Sequence, residues 1–111
     1  MSEQDLAELE VSSKHCKETI ETYEAYDRLS KNKDFKHLIE DTYFLTYASR
    51  LVLLRAETNL SKDIQENILR EIDGIGFFRS FLKQVIQAGH LAKNTLSQDD
   101  ETREEILGEG I

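Results

Sequence analysis

The chain has 111 residues, no proline, no tryptophan and one cysteine; 39% of it is hydrophobic, 32% charged, and its formal net charge is −8. That is material for one small domain. A lone cysteine excludes an intrachain disulfide and fits a reducing compartment, and the excess of acids disfavours binding to nucleic-acid phosphates.

No apolar run approaches the roughly 18 residues of a membrane span. The first residues, MSEQDLAELE, lack the basic and apolar regions of a signal peptide. Charge is distributed unevenly: residues 1–27 carry eight acids and two bases, 28–96 eight acids and eleven bases, and 97–111 six acids and one base. Such runs are as a rule solvated helical faces.

The absence of proline permits long helices, and the apolar spacing places three. Ser2 and Asp5 form a capping pattern, after which Leu6, Leu9, Ser13, Cys16, Ile20 and Tyr23 recur at steps of 3 and 4. This is a heptad seam with one polar core position, and it predicts a first helix over about 3–29. The polar stretch SKNKD (30–34) ends it. Asn32 is a natural N-cap for a second helix over 33–57, with Asp34 in its first turn favoured by the helix dipole. YFLTYASRLVLL (43–54) is apolar around most of a helix and low in β-branched residues, so this helix is a central one.

Asn59 or Ser61 can cap the third helix, over 62–97. Ile64, Ile68, Glu71 or Ile72, Ile75, Phe78, Leu82, Val85, Gly89, Ala92 and Leu96 keep steps of 3 or 4 straight through Gly74 and Gly76. One continuous helix accounts for that phase; a break at 73–76 is the alternative. A continuous helix carries about 1 kcal/mol of cost per interior glycine, so it must gain from close approach of a neighbour or kink there. Gly89 is placed to admit a bulky side chain, such as a tyrosine from the second helix. The expected fold is all-α: a long antiparallel hairpin of the second and third helices plus the heptad-bearing first helix. It is expected to form one domain over 1–96, followed by a frayed or partly disordered acidic extension over 97–111.

Catalytic chemistry is thin. No phosphate-binding loop, H-E-x-x-H, G-x-S-x-G or C-x-x-C pattern occurs. Cys16 lies on the seam, where a cysteine acts as a small hydrophobe, and neighbouring His15 points about 100° away. Asp34, His37 and Asp41 share a face at spacings that can hold a divalent ion, although charged residues are expected there in any case. Arg28, Lys31, Lys33 and Lys36 form a basic loop near Tyr26 and Phe35 that could meet phosphates, or simply complement the first helix's dipole. Arg50, Arg55 and Arg79 suit charge pairing with Glu40, Glu71 or Asp73 across a helix interface. The expectation is therefore a protein without catalytic residues, cofactor or metal.

Two stretches, LSKNKDFKHLIEDTYFLTYASRLVLL (29–54) and LREIDGIGFFRSFLKQVIQAGHLA (69–92), together resemble a group of small helical proteins encoded among the structural genes of tailed bacteriophages. The likeness spans about 15–96. It implies a role in the virion or its assembly, hence a place in the virion or host cytoplasm. The implied partners are other phage structural proteins in a homo- or hetero-oligomer; on the charge and the lack of an apolar span, nucleic acid is disfavoured and no membrane partner is expected. The apolar faces expected to dock are the first-helix seam (Leu6, Leu9, Cys16, Ile20, Tyr23) and part of the third helix (Ile75, Phe78, Leu82, Val85). The acidic ends support a different function, inhibition of a host defence or nucleic-acid enzyme by carboxylates placed as phosphates would be.

Overall fold

The computed structural model describes residues 2–109, with side chains described over 3–108. Every regular element among them is helical. Helix α1 is Ser2–Ser30. Helix α2 is three segments in direct succession: an α-helical turn Lys33–Phe35, a π-helical stretch Lys36–Tyr47 and an α-helical end Ala48–Arg55. Helix α3 is Lys62–Glu109, 48 residues long. It passes through Gly74 and Gly76 unbroken, and no described glycine takes a positive φ. The predicted end of this helix at about 97 is corrected: α3 continues through the acidic segment to Glu109, and residues 110–111 lie outside the described part.

The chain divides into two compact units, 28–83 and 1–27 with 84–111. In the latter, α1 lies antiparallel to the second part of α3, since rising numbers in α1 meet falling numbers in α3. The Ser12 hydroxyl donates to Asp99 Oδ2 at 2.7 Å, Arg103 Nη2 donates to Ser13 Oγ at 3.3 Å, and the Tyr23 ring lies 5.1 Å from the His90 ring, tilted by 52°. Ser13, Cys16 and Ala92 are buried; Leu6, Leu9, Ile20 and Tyr23 are half-buried. These contacts explain why α3 extends past Ser97. Its inward positions run 92, 96, 99, 103 and 106, still in steps of 3 and 4, but two of them are the polar Asp99 and Arg103. Those two meet the polar Ser12 and Ser13 of α1, so the seam is polar on both sides at that level and every buried group there keeps a partner.

The 28–83 unit is built on sequence-local signals. Asn32 Oδ1 accepts from the Asp34 and Phe35 amides at 2.9 and 3.0 Å, capping α2 as its position predicts. From Lys36 the helix widens to i→i+5 pairing. Two threonines follow the wider turn: Thr42 Oγ1 donates to the His37 carbonyl at 2.7 Å and Thr46 Oγ1 to the Asp41 carbonyl at 3.1 Å, each five residues back. The helix ends at Arg55, two residues short of the predicted end. Ser61 Oγ then accepts from the Ile64 amide at 3.3 Å and starts α3. Against α2 the first part of α3 again runs antiparallel. Leu51, Ile68 and Ile75 form the buried core, flanked by Tyr43, Phe44, Tyr47, Ala48, Leu60 and Ile72. Phe78 closes one end, its ring 5.6 Å from Phe44 and 6.3 Å from Tyr43.

Candidate functional site

The residues expected to dock are placed unevenly. Cys16 and Ile75 are buried within the chain at 5% and 6% exposure, which corrects their assignment to an outer surface. Leu6, Leu9, Ile20, Tyr23, Leu82 and Val85 are half-buried and Phe78 is at the surface. The physical reason is that α1 finds a partner in its own chain: its narrow stripe is met by the second part of α3.

Tyr23 shows this most clearly. Its ring occupies the space beside Gly89; a Cβ built on Gly89 would fall under 3.0 Å from Tyr23 Cβ, Cγ and Cδ2. The glycine therefore does admit a tyrosine, but one from α1 rather than α2. Lys93 Nζ stands 4.7 Å from the centroid of the same ring, in cation–π range.

The exposed apolar surface lies elsewhere. Among the described residues fourteen large hydrophobic side chains are exposed, and eleven of them fall within 28–83: Leu29, Leu38, Leu45, Val52, Leu53, Leu54, Ile64, Leu69, Phe77, Phe78 and Phe81. Phe77 is 74% exposed, Leu53 73% and Phe81 56%. Phe77 and Phe81 escape a search for the core face because they are out of phase with Ile68, Ile75 and Leu82. They are four residues apart, hence on one face of their own. Gly74 precedes them on that face, and apart from their own and the adjoining helical backbone neither Gly74 nor Gly76 has a neighbour within 4 Å of where a Cβ would stand.

Charge separates along the same division. Residues 28–83 hold ten bases and eight acids, net +2, while 1–27 with 84–111 hold four bases and fourteen acids, net −10. The basic residues Arg28, Lys31, Lys33 and Lys36 are all exposed.

The arrangement offers little for bond-making chemistry. Among the described residues no group of three His, Cys, Asp or Glu side chains could hold a metal ion, so the Asp34, His37 and Asp41 set is not drawn together. Glu71 pairs with the Tyr47 hydroxyl, which donates to its Oε2 at 2.7 Å, rather than with an arginine as its position suggested. That hydrogen bond, with smaller contributions from desolvation and from the Glu71 charge, raises the Tyr47 hydroxyl above the usual phenol pKa. A groove of about 430 Å³ in the acidic unit is lined by Asp5, Glu8, Leu9, Ser12, Asp99, Thr102 and Ile106; Ser12 there donates to Asp99, and among the described residues no histidine, lysine or arginine lines it beside them. No described helix is long and apolar enough to cross a membrane.

No family model, no curated protein and no solved structure matches this chain.

Proposed function

We propose that this chain is a non-enzymatic helical protein that works by docking, as a structural or assembly component of a tailed-phage particle. The observation that carries the docking is the concentration of exposed large apolar side chains in residues 28–83, a unit whose own buried core is only Leu51, Ile68 and Ile75. Two antiparallel helical segments cannot cover one another's apolar circumference, and contiguous exposed apolar surface marks contact with another macromolecule. The phage setting rests on the likeness of residues 15–96 to small helical proteins of phage structural gene clusters. Gradient-purified particles probed for the chain test it: the expected result is a fixed copy number per particle, lost when Phe77 and Phe81 are both replaced by serine. Particles free of the chain at every assembly stage would contradict it.

One observation favours a second function. The net −10 of the α1-containing unit, with exposed Glu18, Glu21, Glu101, Glu104 and Glu105, suits an inhibitor that occupies a phosphate-binding surface. Replacing Asp99, Asp100, Glu104 and Glu105 by lysine would then abolish inhibition of a host nucleic-acid enzyme; unchanged host activities with and without the chain would exclude this function.

A further inference from the structure

We infer that the Arg70–Phe81 face of α3 is a self-association site whose occupant is the same face of a second copy of this chain, paired antiparallel about a twofold axis. The inference rests on the docking function above and names its first partner.

Arg70, Gly74, Phe77 and Phe81 follow at steps of 4, 3 and 4, so they form one stripe along the helix. All four are exposed. The stripe contains a knob, Phe77, and beside it a notch, Gly74, that nothing in the chain fills. An unfilled glycine in a helix interior is a loss to the isolated chain. The same helix shows what such a notch accommodates. At Gly89 the equivalent space holds an aromatic ring, Tyr23, delivered by an antiparallel helix, with Lys93 over the ring.

The Arg70–Phe81 face carries both halves of that arrangement. When two copies of the stripe are laid antiparallel with Phe77 over the Gly74 of the second copy, the twofold places the second Phe77 over the first Gly74. Arg70 then stands opposite Phe81 of the second copy, and Phe81 opposite Arg70. Each aromatic thus meets either a glycine or a cation. A foreign partner needs only the complement of this face; a knob and its own notch in palindromic register are what an isologous contact requires.

Charge selects the same contact. Two units of net +2 repel weakly on approach, whereas association through the unit of net −10 is opposed. The size of the face sets the strength. With about 200 Å² for a phenylalanine, Phe77 and Phe81 expose roughly 260 Å². With Arg70, Gly74 and the edges of Leu69 and Phe78, a copy offers on the order of 400 Å², at the small, transient end of specific interfaces. The dimer is therefore reversible and concentration-dependent, suited to a chain that assembles further.

Sedimentation equilibrium on the purified full chain tests this. The wild type is expected to show a monomer–dimer equilibrium in the micromolar range. Phe77→Ala is expected to weaken it at least 30-fold, as for a central aromatic anchor. Gly74→Ala separates the proposal from a purely structural role: in the monomer the new methyl meets nothing, so the thermal midpoint rises, while the dimer weakens at least tenfold. The exchanged variant Gly74→Phe with Phe77→Gly should pair with itself and not with the wild type. A wild-type monomer up to the solubility limit, or a dimer indifferent to Gly74→Ala and Phe77→Ala, overturns the proposal. If such a monomer still co-purifies with particles in a Phe77-dependent way, docking stands and only self-pairing falls.

Discussion

Gly89→Ala is the substitution for which the structure and the ordinary rule for helices disagree most sharply. In a helix interior, alanine is favoured over glycine by about 1 kcal/mol, so a position with free space gains stability. Gly74 and Gly76 are such positions, with nothing within 4 Å of an added Cβ. At Gly89 the same methyl would fall under 3.0 Å from three carbons of Tyr23, one of them Cβ, which cannot move without α1 moving. Forcing a methyl into filled space costs about 1–3 kcal/mol. It also displaces a ring held at 5.1 Å from His90 and 4.7 Å from Lys93 Nζ. The expected net effect is a loss of about 1–2 kcal/mol, against gains of about 1 kcal/mol for Gly74→Ala and Gly76→Ala. Thermal and urea unfolding followed by circular dichroism at 222 nm measure all three, at concentrations where the chain is monomeric. At this size 1 kcal/mol moves the midpoint by roughly 4 °C, so the variants should separate in opposite directions. In the Tyr23→Gly background, which removes all three of those carbons, the penalty at Gly89 should vanish. A Gly89→Ala variant stabilised as much as Gly74→Ala would refute the placement of Tyr23, and with it the packing of α1 on α3.

Leu51→Ala should cost about 2–4 kcal/mol in the same unfolding assay, because Leu51 is one of three core residues of its unit. Asn32→Ala should cost about 1 kcal/mol through loss of the two amide bonds to its side chain, with Asn32→Gly nearer the wild type. Tyrosinate absorbance near 295 nm should show the Tyr47 phenol titrating above the usual value, and Glu71→Gln should bring it down. A phenol whose pKa is raised by folding binds its proton more tightly in the folded state. The associated stability is therefore present below the usual phenol pKa and is lost as pH rises through the raised value; a titration unchanged by Glu71→Gln would contradict the pairing.

Much of the backbone was legible in the chain, and the exceptions have physical causes. Continuity of α3 through Gly74 and Gly76 followed from apolar phase, which a turn would have reset. The cap at Asn32 followed from side-chain chemistry, which also offered Ser61, with Asn59 as the alternative, for α3; Ser61 is the one used. The end of α3 was hidden because its inward positions become polar at Asp99 and Arg103, where apolar periodicity is silent; only the partners Ser12 and Ser13 on α1 reveal that the seam continues. The π-helical winding of Lys36–Tyr47 was also hidden, since apolar spacing there fits an ordinary helix. Thr42 and Thr46 are the only local hint, through hydroxyls that reach five residues back. Cys16 and Ile75, expected to dock, are buried instead for a related reason. A regular stripe marks what a helix buries, whichever chain supplies the cover. The exposed Phe77 and Phe81 lie off that stripe and stand out only once the core side of α3 is known.

Hydrogen–deuterium exchange on the full chain, free and in the complex it enters, tests the central claim most directly. If the apolar surface of residues 28–83 does the docking, amides around Arg70–Phe81 gain protection on association while those of α1 change little. Protection confined to α1 and the acidic end of α3, with Arg70–Phe81 unchanged, would contradict the account.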